Sequence, residues 1–185
     1  MKNRIIKFTL LTSVIFSQSW NTTFIGQLDY PQFVNDVWGY KADNGKEYAL
    51  VGTSLGTAVV DVTTNPFGPQ QVGFIMGDES IWRDIKFYNN HMYISTEAEM
   101  GIQVADITDP ENPELVYEWD GVSRAHNLFQ ADGYLYVVGA DEGTDMEILD
   151  LADPAVPVRV RGWSTEYLHD VYVRDNYAYG CGIYS

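Results

Sequence analysis

From Asn35 onward the apolar residues fall into short runs separated by turn-forming clusters. Between Ser123 and Ser164 these runs predict four strands, Ala125–Ala131, Tyr134–Gly139, Met146–Leu151 and Val158–Trp163. Asp132-Gly133, between the first two, is a two-residue hairpin signal, because the tight turn that matches strand twist needs positive φ at both central positions. Asn89-Asn90 and Asp175-Asn176 stand at the same place in neighbouring stretches, and Asp43-Asn44-Gly45 does so in the first. Runs such as Tyr48-Ala49-Leu50-Val51 and Tyr136-Val137-Val138 are apolar on both parities instead of alternating. Strands of that kind are covered on both faces.

The pattern repeats with a period of about 44 residues. Each stretch opens on a polar cluster followed by an aliphatic residue: Asn35-Asp36-Val37, Arg83-Asp84-Ile85, His126-Asn127-Leu128 and His169-Asp170-Val171. The second members lie 48, 43 and 43 residues apart. Each later reaches an Asp that closes an apolar run, at Asp61, Asp106 and Asp150, spaced by 45 and 44. An Asx-Pro step with a second proline three residues on follows each of them: Asn65-Pro66 with Pro69, Asp109-Pro110 with Pro113, and Asp153-Pro154 with Pro157. These are turn signals, since proline presets φ and the Asx side chain can bond the backbone that follows it. Tandem four-stranded meanders of this length, buried on both faces, predict an all-β fold, a β-propeller of four-stranded antiparallel blades. A β-solenoid would show shorter coils and no hairpin signal. The blades are expected at 35–77, 80–121 and 123–164, with a partial one at 167–185. About three and a half blades are thus present, and further C-terminal blades are expected to be needed to close the ring.

The first nineteen residues change the picture. Lys2, Arg4 and Lys7 precede the apolar run from Phe8 to Phe16, and Ser17 and Ser19 follow at the spacing a signal peptidase reads. Residues 1–19 are therefore expected to be a signal peptide, with residues 20–34 leading into the repeats. The run is too short for a membrane span, which needs roughly 20 apolar residues. Removing it leaves 8 basic against 26 acidic residues, a net charge of −18. Such a surface repels nucleic acid and anionic headgroups and favours solubility and divalent cations. Cys181 is the only cysteine, so no intrachain disulfide can stabilise the fold. Secretion or display at the cell surface is the expected location.

The runs ending at Asp61, Asp106 and Asp150, with their proline turns, resemble the LVIVD repeat. The order of Asn35-Asp36-Val37-Trp38-Gly39-Tyr40, Ser80-Ile81-Trp82-Arg83-Asp84-Ile85-Lys86 and His169-Asp170-Val171-Tyr172-Val173 is similar to that of the choice-of-anchor B family of exported repeat proteins. That resemblance implies a surface propeller with no assigned reaction, held by a C-terminal anchor that varies among members. The third repeat departs from the pattern: where the others have Gly56 or Gly101 five residues before the Asp, it has Asp145, with the glycine displaced to Gly143.

A meander sends its second hairpin loop and its link to the next repeat to one rim. Asp36, Asp84, His126, His169 and Asp170 therefore gather there, around the central channel if the first strand is innermost. Imidazoles and carboxylates converging on a channel could hold a divalent cation or a small polar ligand. The same groups could equally bridge neighbouring strand ends. Asp61, Asp106 and Asp150 suit a structural role, accepting backbone N–H groups of the turn that follows. There is no H-E-x-x-H and no phosphate-binding loop. The leading function is a non-catalytic binding or structural module that contacts a surface protein or glycan. The alternative is a metal-dependent propeller hydrolase with its cation in the channel.

Overall fold

The computed structural model describes residues 21–140 and 143–183. The expected signal peptide lies outside the described residues, as does the acidic pair Asp141-Glu142. The described chain is all-β, with fourteen strands in four antiparallel sheets. Sheet one holds β1 (Val34–Lys41), β2 (Glu47–Thr53), β3 (Gly56–Asp61) and β4 (Gln70–Met76). Sheet two holds β5 (Ile85–Tyr88), β6 (His91–Ile94), β7 (Ile102–Asp106) and β8 (Glu114–Trp119). Sheet three holds β9 (Asn127–Ala131), β10 (Tyr134–Val138), β11 (Met146–Asp150) and β12 (Val158–Trp163). Sheet four is the pair β13 (Leu168–Arg174) and β14 (Tyr177–Gly182). Each complete sheet is a meander in chain order, so these are propeller-like blades.

Turn chemistry sets the hairpins. Asn89 and Asn90 (φ 45° and 60°), Asp132 and Gly133 (51° and 79°), and Asp175 and Asn176 (53° and 64°) all sit in the left-handed region that two-residue hairpins require. The strand predicted to begin at Ala125 starts two residues later. Its backbone is diverted there, since the Ala125 N–H donates to Thr96 O of the preceding repeat.

A bulge recurs in the outermost strand. Val59 pairs with Gly73 and Val60 with Gln71, which leaves Val72 as an extra residue. The same break leaves out Val116 opposite Val104/Ala105 and Val160 opposite Ile148/Leu149. A bulge bends a strand and increases its twist, so its return at 44-residue intervals gives each blade the same curled outer edge.

The two parities of each apolar run serve two different cores. Met92 and Ile94 pack with Tyr48, Leu50 and Val59 of sheet one, whereas Tyr93 between them packs with Leu135 and Leu149 of sheet three and with Leu151 just beyond it. On the far side of sheet three, Val138 and Met146 meet Leu168, Val171 and Val173 of sheet four. The first strands meet in succession, β1 with β5, β5 with β9 and β9 with β13, which places them innermost. Trp119 and Trp163 occupy matching positions, but Trp119 is buried beneath sheet three while Trp163 is 38% exposed.

Leu135→Ala should lower stability by about 2–5 kcal/mol, because Leu135 is fully buried between sheets two and three. Gly133→Ala should lower it by about 1–2 kcal/mol through backbone strain alone. A β-carbon there would have only the Tyr88 hydroxyl for company, at 3.5 Å. Urea titrations of both variants read the two losses, and a Gly133→Ala loss as large as that of Leu135→Ala would contradict the turn argument.

Candidate functional site

The innermost strands begin on the polar clusters, and their side chains join one sheet to the next. Asp36 Oδ2 accepts the Ile85 N–H of sheet two at 3.1 Å. One repeat later, Asp84 Oδ2 accepts the Leu128 N–H of sheet three at 2.6 Å. A first-strand carboxylate thus reaches the residue one place further on in the next sheet, and pairs an N–H at the channel edge that would otherwise lack a partner. At the third step the ladder stops. Position 127 is Asn, and the Val171 N–H that would complete the step donates instead to Asp170 Oδ1, its own neighbour, at 2.7 Å.

Asp84 carries a second set of contacts that sequence reasoning missed. Lys86 Nζ lies 2.6 and 2.8 Å from the two Asp84 oxygens, donates to Ile85 O at 3.1 Å, and sits 4.7 Å from the centre of the Trp38 ring. Both side chains are buried. The positive charge that this carboxylate attracts is therefore an ammonium of the chain itself. The clue was available, since residues two apart on a strand share a face. Burial, opposed by Lys86 and reinforced by the neighbouring Asp36, pushes the Asp84 carboxyl up towards about 7.

Further along the rim the chemistry is aromatic. The His126 and His169 rings are tilted against each other with centres 4.1 Å apart, and the Trp82 ring lies 5.6 Å from His126. Glu97 Oε1 is 2.7 Å from His126 Nδ1 and fixes the ring's orientation. Meander topology brings the Glu97–Gly101 loop to the same rim as His126, but the contact itself, between residues 29 positions apart, depends on how the blades pack. Arg83, almost fully buried, stays within this rim and donates to Thr53 O (3.1 Å) and Asp78 O (2.7 Å). It ties the link between sheets one and two. Among the described residues no three His, Cys, Asp or Glu side chains come together as metal ligands do.

At the opposite rim, Asp61 Oδ1 accepts the N–H groups of Thr63 and Thr64, both at 2.8 Å. Its Oδ2 receives the Thr64 hydroxyl at 2.6 Å and Lys46 at 3.0 Å. Burial alone would raise this carboxyl, but the bonds from Thr64, Lys46 and Thr63 overcome it and hold the group well below the usual range. Asp106 and Asp150 each accept the N–H two residues on, from Thr108 and Ala152, both at 2.7 Å. His91 lies on this rim too, with Nδ1 2.8 Å from Asn89 O.

The sequence also contains Gly52-Thr53-Ser54-Leu55-Gly56, which has the G-x-S-x-G spacing of a hydrolase nucleophile. That signature works on a strand-to-helix turn that lifts the serine out. Here it forms the tight β2–β3 hairpin, with the Thr53 hydroxyl donating to Gly56 O and the Ser54 N–H to Phe33 O.

Residues 124–165 match the LVIVD repeat. That span begins in the link before β9 and ends just after β12, so one LVIVD repeat corresponds to sheet three. Its aliphatic run, Met146-Glu147-Ile148-Leu149-Asp150, is β11, and its proline turn is the β11–β12 link. Among curated proteins no relative matches the chain.

Protonation of Asp84 supplies the test of this geometry. A carboxyl whose folded pKa lies above its unfolded value of about 4 binds its proton more tightly when folded. Its contribution to stability is then complete below about pH 4 and is lost as pH rises towards about 7. Asp84→Asn mimics the protonated acid, so wild type should lose stability relative to this variant between pH 4 and 7 and run parallel to it above. Thermal melts of both proteins across that range decide it, and parallel curves throughout would show that Asp84 stays ionised.

Proposed function

We propose that this chain is an exported surface module of the choice-of-anchor B type, whose LVIVD repeats build a propeller that binds a surface protein or glycan through its inner-strand rim without catalysing a reaction. The observation that carries this reading is the occupation of the repeated rim carboxylates. Asp36 and Asp84 bond the backbone of the next sheet, and Asp84 is also neutralised by Lys86. Groups engaged in this way support blade-to-blade structure and do not stand ready as general acids, bases or metal ligands. Among the described residues, the same rim carries exposed apolar side chains. Leu55 is 38% and Ile81 58% exposed. The basic, apolar and small-residue order of residues 1–19 supports export.

Two measurements test the proposal. Protein exported by a bacterial host should begin at Trp20, and an intact Met1 on the exported material would refute processing. Labelled mature protein should bind the cells that normally display it, in competition with unlabelled protein. Leu55→Ser combined with Ile81→Ser should weaken that binding by about tenfold, the loss of one hot-spot contact. Phe67→Ser, on the opposite rim, should leave it unchanged. Equal effects of the two sets would overturn the assignment to this rim.

A further inference from the structure

A cavity of about 180 Å³ opens at the inner edge between the first strands of sheets one to three, bounded by Asn127, the residue from which the carboxylate ladder goes no further. Its wall includes Asp36, Trp82, Asp84, His126 and Asn127. We propose that this cavity binds a single neutral sugar ring, stacked on Trp82 and hydrogen-bonded by Asn127, His126 and Asp36. The proposal rests on the binding-module reading and names the ligand class for its rim.

Size argues first. Sites for drug-sized ligands start at about 300 Å³, so this one suits a single small ring. Trp82 is 45% exposed and offers the flat apolar face against which the C–H side of a pyranose packs. The polar groups beside it are left open by the break in the repeat. The Val171 N–H, the bridging target of position 127, is taken by Asp170, so the Asn127 carboxamide keeps both a donor and an acceptor. Glu97 holds His126 through Nδ1, which leaves Nε2 as the ring's second polar atom. Asp36 uses Oδ2 for Ile85. The mixture of donors and acceptors matches hydroxyl groups, each of which is both.

Charge then decides between neutral and ionic sugars. Arg83, in the cavity wall, spends Nε and Nη2 on the carbonyls of Thr53 and Asp78 and keeps its unpartnered Nη1 buried beside Gly77, while Lys86, behind the wall, is held by Asp84. Neither is placed to receive a carboxylate or sulfate, and the remaining carboxylate, Asp36, repels one.

Saturation-transfer NMR on the full chain, with the methyl glycosides of glucose, galactose, mannose and N-acetylglucosamine as probes, tests the inference. At least one should show transfer to its ring protons, with a Kd of about 1 mM, as befits a ligand with about a dozen heavy atoms. Trp82→Ala should abolish the transfer, Trp82→Phe should retain it, and Asn127→Ala should raise Kd about tenfold, with the melting temperature of each variant confirming its fold. Asn127→Ala keeps the test decisive if Trp82→Ala fails to fold. Silence from all four glycosides, or transfer that survives both Trp82→Ala and Asn127→Ala, overturns the proposal. Stronger transfer to the methyl glycoside of galacturonate, with its carboxylate free, than to any neutral glycoside overturns the neutral class. If the glycosides fail while the Leu55 and Ile81 substitutions still weaken cell binding, the sugar inference falls and the binding-module reading stands.

Discussion

A sheet with apolar side chains on both faces must be covered twice, and the rest of this structure follows from that requirement. Met92, Tyr93 and Ile94 are successive residues of one strand, all fully buried, yet they belong to two different cores. Burying such side chains stabilises by roughly 1.5–3 kcal/mol each, and neither face can be left in water without losing that contribution. Face-to-face stacking of blades answers the requirement. The recurring bulges at Val72, Val116 and Val160 curl the outer strands in the same way each time.

Stacking leaves a second problem at the narrow end of each blade. First strands converge there with unpaired N–H groups along their inner edges, and a buried donor without a partner costs about 1–3 kcal/mol. Asp36 and Asp84 solve it by reaching across to the next sheet. Burying a carboxylate creates a cost of its own, and Lys86 offsets it at Asp84 while resting on the Trp38 ring. A repeated acidic residue that looks like a ligand is, in this geometry, a blade-to-blade strut with its counter-ion built in.

Departures from the repeat give the rim its individuality. Asp gives way to Asn at 127, Arg83 gives way to His126 and His169 at the preceding position, and an aromatic–imidazole row stands where a further strut would be expected. The glycine displaced to Gly143 takes φ +75° within its loop, while the Asp145 N–H donates to Trp163 O. The loop keeps its tie to the outer strand although its glycine has moved.

The sequence by itself determined the class of fold, the number of strands per repeat and the turns, because these depend on local chemistry. Side-chain parity records which faces are buried, and Asp132-Gly133 or Asn89-Asn90 need only their own φ angles to close a hairpin. It also placed Asp36, Asp84, His126 and His169 on one rim, since strand alternation fixes which ends of the meander lie together. What those groups bond was decided only by tertiary structure. The partners of Asp36, Asp84 and His126 lie 49, 44 and 29 residues away, and the rotation from blade to blade that brings them within 3.1 Å is a property of packed cores and not of any local run. The same holds for Val72, Val116 and Val160, whose bulges exist only against the partner strand, and for Ser54, whose motif spacing lost its meaning once it closed a hairpin. Local patterns specify which surfaces must meet, while the distance and angle at which they meet emerge from the whole stack.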